Sequence, residues 1–145
     1  MKLMSLLTAL VFVFSSVAAQ AATLEELQKK LQAYSAEDLK APKAKDDEAV
    51  SEKTTEMLKT IEDTVDLATK GKEKVSADVL QQLARVAVLT FEADPSLAAA
   101  ELLLPLYKKE KKAFDKAMRT LPSKDNKSLK DALKDADRED EEGNG

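Results

Sequence analysis

The side chains that this sequence offers for chemistry are carboxylates, lysines and hydroxyls, because its 145 residues include no histidine and no cysteine. Nucleophilic pairs that depend on histidine, zinc sites built on imidazole or thiolate, and histidine-held haem are therefore excluded. The three glycines, Gly71, Gly143 and Gly145, are too scattered to build a glycine-rich phosphate loop. Paired carboxylates remain available for acid–base catalysis, but the acidic residues lie on lysine-rich faces. We predict a protein that is not an enzyme.

Two groups of carboxylates have spacings that resemble metal sites. Glu48, Glu52 and Glu56 follow one another at i, i+4 and i+8, so they form a ridge along one side of a helix. Such a ridge suits either a loosely held divalent cation or solvated surface. The stretch "DADRED" begins like a calcium-binding loop at Asp135, but Asp140 occupies the position that needs glycine. We therefore predict no metal site and no cofactor.

Charge is distributed unevenly along the chain. Residues 108–134 carry ten bases and four acids, whereas residues 22–107 have a net charge of −6 and residues 135–145 a net charge of −5. This pattern predicts a surface for an anionic partner, with the acidic tail competing as an internal mimic. Alternatively, the lysines pack beside the acidic half and keep the protein soluble. The candidate surface comprises Lys108, Lys109, Lys111, Lys112, Lys116 and Arg119.

The most apolar part of the chain after residue 21 surrounds Pro105, in the run "LLLPLY". Proline cannot donate to the carbonyl of Glu101, so we expect a bent or broken helix here. The leucines then either form a groove for a partner helix or belong to the core of a small domain. The candidate groove residues are Leu103, Leu104, Leu106 and Tyr107.

The elements that must position these residues are all helices. Alanine, leucine, lysine and glutamate dominate, glycine is rare, and apolar residues recur three and four positions apart. We predict an all-α bundle of about five or six helices, with a satellite N-terminal helix joined to it by a charged linker. The expected helices span residues 24–34, 47–70, 76–92 and 95–121, the third and fourth central, followed by a last helix around residues 129–136.

The first 21 residues are typical of a secretory signal peptide. Lys2 precedes an apolar run, which ends at Ala19-Gln20-Ala21, an A-x-A cleavage pattern. We expect export to a periplasm or the extracellular space, and no integral membrane segment after cleavage. The predicted division is a signal peptide (1–21), an N-terminal helix with a charged linker (22–45), a helical domain (46–134) and an acidic disordered tail (135–145).

The functional expectation follows from the missing catalytic residues and the uneven charge. We expect an exported, non-enzymatic protein that binds another protein of the cell envelope as an adaptor or inhibitor. The alternative is a peripheral binder of anionic lipid or polysaccharide through residues 108–134. Nucleic acid is not an expected ligand, because the basic stretch has one arginine and few interleaved aromatic residues.

Overall fold

The computed structural model describes residues 23–39, 47–71 and 75–143. Within these ranges 86% of residues are helical, in six α-helices and one short 3-10 turn, and no strand occurs. The predicted all-α bundle is therefore confirmed. The predicted signal peptide lies outside the described residues, as do residues 40–46 of the linker. The helices are α1 (Leu24–Ala33), α2 (Asp47–Lys70), α3 (Ala77–Ala93), α4 (Ala98–Lys109), α5 (Lys111–Met118) and α6 (Ser123–Gly143), with the 3-10 turn at Ala36–Leu39.

Helix α1 begins where its capping residues predict and packs firmly on the bundle. The Thr23 hydroxyl accepts a hydrogen bond from the backbone N–H of Glu26 at 3.2 Å, which satisfies one free donor of the first turn. Leu27 and Leu31 are buried against α2 and α3. The expectation of a satellite helix is therefore wrong for α1, because its apolar face is covered by two other helices.

Helix α2 follows its predicted apolar stripe. Met57, Ile61, Val65 and Ala68 are buried, and they recur at the helical spacing of three and four residues. The helix ends at Lys70, and the backbone N–H of Gly71 donates to the carbonyl of Leu67 at 2.8 Å. This stripe packs against α1, α3 and α4.

Helix α3 is central, as the sequence predicts. It contacts all five of the other α-helices that the structure describes. Leu83, Ala84, Val86 and Ala87 have no exposed side-chain surface, so the helix is buried on more than one side. The Ser76 hydroxyl caps its first turn by accepting from the N–H of Val79 at 3.3 Å.

The segment between α3 and α5 differs from its predicted boundaries. A helix was expected from Pro95, but α4 begins at Ala98, after Leu97 adopts a left-handed backbone with φ of 56°. That conformation is uncommon for leucine and ends any continuous helix through this position. Pro105 lies inside α4, and the break that was expected at this proline falls five residues later, at Glu110.

Helix α6 extends further than the sequence predicts. Leu129, Ala132, Leu133 and Ala136 are buried, and the helix continues to Gly143. Residues 135–143 are thus helical, which corrects the expectation of a disordered tail for that part of residues 135–145. The physical reason is that α6 packs along α4, so its acidic end receives side-chain contacts that the sequence pattern does not reveal.

Candidate functional site

The six basic residues predicted to form a surface are all exposed. Lys108 and Lys109 end α4, three lysines belong to α5, and Arg119 directly follows α5. Four further exposed lysines lie in α6, at positions 124, 127, 130 and 134. The basic stretch of the sequence therefore lies on consecutive helices at one end of the chain.

Packing of α5 determines which of its cations face outward. Phe114, Ala117 and Met118 are buried on one side of this short helix. Lys112, Lys116 and Arg119 follow at i, i+4 and i+7 and are all exposed, so they share a face away from the buried one. They form an exposed cationic stripe along α5.

One cleft, of about 520 Å³, lies beside α2. Another, of about 470 Å³, lies between α4, α5 and α6. Three lysines from two helices line the second cleft: Lys111 belongs to α5, and Lys130 and Lys134 belong to α6. Three carboxylates line the same cleft beside the lysines and Tyr107, namely those of Asp115, Asp131 and Asp137.

Tyr107 forms part of the wall of this cleft. Its hydroxyl donates to Oδ1 of Asp115 at 3.1 Å, and its ring meets that of Phe114 edge-on, with centroids 5.6 Å apart. Burial raises the pKa of Tyr107, and the hydrogen bond to Asp115 raises it further. The phenol therefore stays neutral at physiological pH and holds the Asp115 carboxylate in place.

Most of these cations have no acidic partner among the residues that the structure describes. Lys108 is the exception, with its Nζ 2.9 Å from Oδ1 of Asp137 and 3.1 Å from Oδ2 of Asp140. Lys109 donates instead to the carbonyls of Ala68 and Thr69, each at 3.3 Å, beside the end of α2. No ion pair to another described residue is made by the remaining eight, which we call the basic surface: Lys111, Lys112, Lys116, Arg119, Lys124, Lys127, Lys130 and Lys134.

The predicted apolar groove is not a groove. Leu103 and Leu106 have no exposed surface, Leu104 is buried, and Tyr107 is half-buried against the core. The reason is that α2 and α6 both pack on α4 and cover its leucines. This corrects the groove prediction and supports the alternative, in which the leucines belong to the core.

The larger cleft, beside α2, has a different chemistry. Its lining combines serine and threonine side chains with aliphatic ones, and Asp94 supplies the charge. Both Thr54 and Thr55 donate their hydroxyls to backbone carbonyls four residues earlier, so these groups are already satisfied. The hydroxyl of Ser96 lowers the pKa of Asp94, and the N–H groups of Ala98 and Ser96 lower it further. Asp94 therefore serves as the side-chain cap that fixes the turn into α4.

Sequence reasoning missed the polar contacts that hold α1. Arg85 donates from its guanidinium to the carbonyls of Leu31 at 2.6 Å and Tyr34 at 2.8 Å. The Tyr34 hydroxyl lies 3.0 Å from both Oε1 of Glu56 and Oγ1 of Thr60. Burial lowers the pKa of Arg85 and raises that of Tyr34. The available signal was Arg85 itself, the one charge within the apolar run "LARVAVLTF".

The acidic ridge of α2 does not form a metal site in the described part of the chain. Nζ of Lys53, at 3.2 Å, and the Tyr34 hydroxyl both donate to the Glu56 carboxylate, and these hydrogen bonds lower the pKa of Glu56. Among the described residues, no group of three or more potential ligands is placed to hold an ion. Within the same residues, no helix combines the length and the apolar character that crossing a bilayer requires.

Comparisons with known proteins add no relative. No protein-family model, curated protein or solved structure matches this chain. The functional argument therefore rests on the geometry and charge of the basic surface.

Proposed function

We propose that this chain is an exported, non-enzymatic binding protein whose basic surface contacts an acidic protein of the cell envelope. The observation that carries the proposal is the set of eight cations without an ion pair to any described residue. Neutralising charges are available in the molecule, yet the acidic end of α6 pairs only with Lys108 among the bases of residues 108–134. An uncompensated field of one sign attracts partners of the opposite sign and speeds their encounter.

The chemistry of the chain supports a role without catalysis. Histidine and cysteine are absent from the sequence, which removes the commonest general base and nucleophile. An acid catalyst at neutral pH needs a carboxyl group with a raised pKa. Glu56 and Asp94, the described carboxyl groups for which a shift is resolved, both have lowered pKa values.

Export is supported by the first 21 residues. A single base, Lys2, precedes an apolar run, and small residues follow at Ala19 and Ala21. This order is typical of a cleaved secretory signal. Absence of cysteine also fits a chain that reaches an oxidising compartment and is stabilised by packing alone.

The test removes charge from the α5 stripe and measures binding. In the triple variant K112Q/K116Q/R119Q, three exposed cations become neutral, and the buried face of α5 stays unchanged. The matched control K29Q/K59Q/K70Q removes the same charge from exposed positions on α1 and α2. Each purified protein is crosslinked to proteins of an envelope extract, at about 50 mM and about 300 mM salt.

We expect the wild-type chain and the control to capture the same acidic proteins at low salt, and the α5 triple variant to lose them. Higher salt should weaken capture, because exposed charges are screened beyond a Debye length of about 10 Å at 0.1 M. Equal capture by both triple variants would mean that the stripe is not the binding surface, and the proposal would fail.

A second candidate function is attachment to an anionic lipid or polysaccharide surface. It is favoured by the linear layout of Lys112, Lys116 and Arg119, since a row of exposed cations suits a diffuse anionic surface as well as a protein. Vesicles with and without anionic lipid, and an acidic polysaccharide, distinguish the two functions. Salt-sensitive binding to either, lost in the α5 triple variant while protein capture is weak, would favour the surface over the protein.

A further inference from the structure

Along the exposed side of α6, basic residues come first and acidic residues follow. This order of charges is complementary to that of a second copy of the helix running in the opposite direction. Lys130, Lys134, Asp137 and Glu141 occupy positions i, i+4, i+7 and i+11, so they lie on one stripe of the helix. The first two are positive and the last two are negative. Three of these side chains are exposed and that of Asp137 is 45% exposed, whereas the apolar face of the helix is turned into the bundle.

An antiparallel partner helix of the same sequence would match this stripe charge for charge. When Lys134 of one copy faces Asp137 of the other, Lys130 faces Glu141, and the same two pairs recur in the opposite direction. The arrangement is thus isologous, with a two-fold axis between residues 135 and 136. Four opposite-charge pairs result, and a parallel alignment would instead place like charges together.

The side chains of the central stripe are available for such pairs. Lys130 and Lys134 make no ion pair with another described residue. Asp137 uses Oδ1 for Lys108, which leaves its second carboxylate oxygen as an acceptor. The cleft between α4, α5 and α6, which both lysines and aspartates line, leaves about 470 Å³ of space beside the stripe.

We propose that two copies of this chain associate through antiparallel α6 helices, held by these charge pairs. The occupant of the face is a second copy because one helix supplies both halves of the pattern. Leu67, the exposed large apolar side chain of the described residues, lies in α2, so the interface has no apolar centre. Association should therefore be weak and strongly reduced by salt. Lys112, Lys116 and Arg119 take no part in these pairs.

Charge-swap variants test the register. In K130E/K134E the stripe becomes entirely acidic, and in D137K/E141K it becomes entirely basic. Each protein alone should be monomeric in sedimentation velocity at about 50 mM salt, with an apparent dissociation constant raised at least about tenfold above that of the wild-type chain. An equimolar mixture of the two should form a dimer again, because opposite stripes then face each other.

Three controls keep the result specific. K112E/K116E introduces the same charge change outside α6 and should leave self-association unchanged. Circular dichroism of every variant establishes that the bundle is folded, and the fourfold variant K130E/K134E/D137K/E141K restores a self-complementary stripe and should dimerise like the wild-type chain.

The proposal is overturned if the wild-type chain stays monomeric at low salt, if its dimer persists unchanged in about 1 M salt, or if the mixture of swapped variants fails to associate. These outcomes are independent of the proposed envelope partner, because that function is read from the α5 stripe. Loss of partner capture with intact self-association, or the reverse, separates the two proposals.

Discussion

Arg85 shows how one side chain joins the first helix to the centre of the bundle. Its guanidinium reaches the carbonyls of Leu31 and Tyr34 at the C-terminal end of α1, where the Leu31 carbonyl also accepts from the N–H of Tyr34 at 3.3 Å. The last carbonyls of a helix lack the usual intrahelical donors, so such side-chain donors satisfy them. A cation at this end also interacts favourably with the helix dipole. Because the guanidinium is half-buried, water would not fully replace its hydrogen bonds to these carbonyls if the side chain were removed.

We expect Arg85→Met to lower the free energy of unfolding by about 2 kcal/mol, since hydrogen bonds from a charged donor contribute about 1.5–3 kcal/mol. Urea denaturation measures this loss, and hydrogen exchange should become faster in residues 24–34 in particular. As a control, Lys59→Met removes the exposed ion pair with Asp63 and should leave stability unchanged. A similar effect of both substitutions would contradict the assigned role of Arg85.

Asp94 links stability to pH. Its carboxylate accepts hydrogen bonds from Ser96 and from the N–H of Ala98, and its pKa is lowered from the ordinary value of 3.8. Because the ionised form is preferred in the folded state, its stabilisation is present above pH 3.8. That stabilisation is lost as the pH falls through the lower pKa of the folded protein.

The variant Asp94→Asn keeps a capping side chain but cannot ionise. We expect it to be less stable than the wild-type chain by up to about 1 kcal/mol at pH 7, and equally stable near pH 2. The difference between the two unfolding free energies, measured from about pH 7 to about pH 2, isolates the contribution of Asp94. Asp66→Asn, at an exposed position in α2, should retain the acid-induced loss seen in the wild-type chain. A constant difference at all pH values would rule out this linkage.

At the scale of helices, the sequence predicts the elements better than their ends. Apolar spacing identifies α2 and α3 within one or two residues, because both helices bury a continuous stripe. The breaks at Leu97 and Glu110 depend instead on how neighbouring helices pack, and neither residue is a typical helix breaker. The ion pair between Lys108 and Asp137 of α6 could not be predicted from the sequence either, because the sequence does not show which helices are adjacent.

Replacing Pro105 measures how much a proline inside α4 costs the fold in stability. Pro105 is exposed inside the helix and leaves the carbonyl of Glu101 without its usual donor. We expect Pro105→Ala to raise the free energy of unfolding by about 1–2 kcal/mol, because the lost helical bond outweighs the smaller entropic benefit of proline in the unfolded chain. Thermal and urea unfolding measure the change.

Pro122→Ala is the matched control, since Pro122 precedes α6 and does not interrupt a helix. It should be neutral or slightly destabilising. Destabilisation by Pro105→Ala would contradict this expectation and would assign the proline a structural role in the packing of α4.

At the scale of the whole molecule, the bundle is organised around α3. This helix contacts every other described α-helix, so its amides cannot open without disrupting packing on several sides. The acidic end of α6 is the opposite case: residues 138–143 are all exposed, and they follow the last buried residue of the helix, Ala136. Local opening there costs little buried apolar surface.

We therefore expect amide hydrogen exchange to be slowest in residues 80–90 of α3 and fastest in residues 138–143 of α6, with α1 between them because it packs on two helices. Mass spectrometry of exchanged peptides measures this order. The same experiment in about 1 M salt should speed exchange at the end of α6, where Lys108 pairs with Asp137 and Asp140, and leave α3 unchanged, since apolar packing is not screened. Slowest exchange in α1 or α6 would contradict a bundle centred on α3.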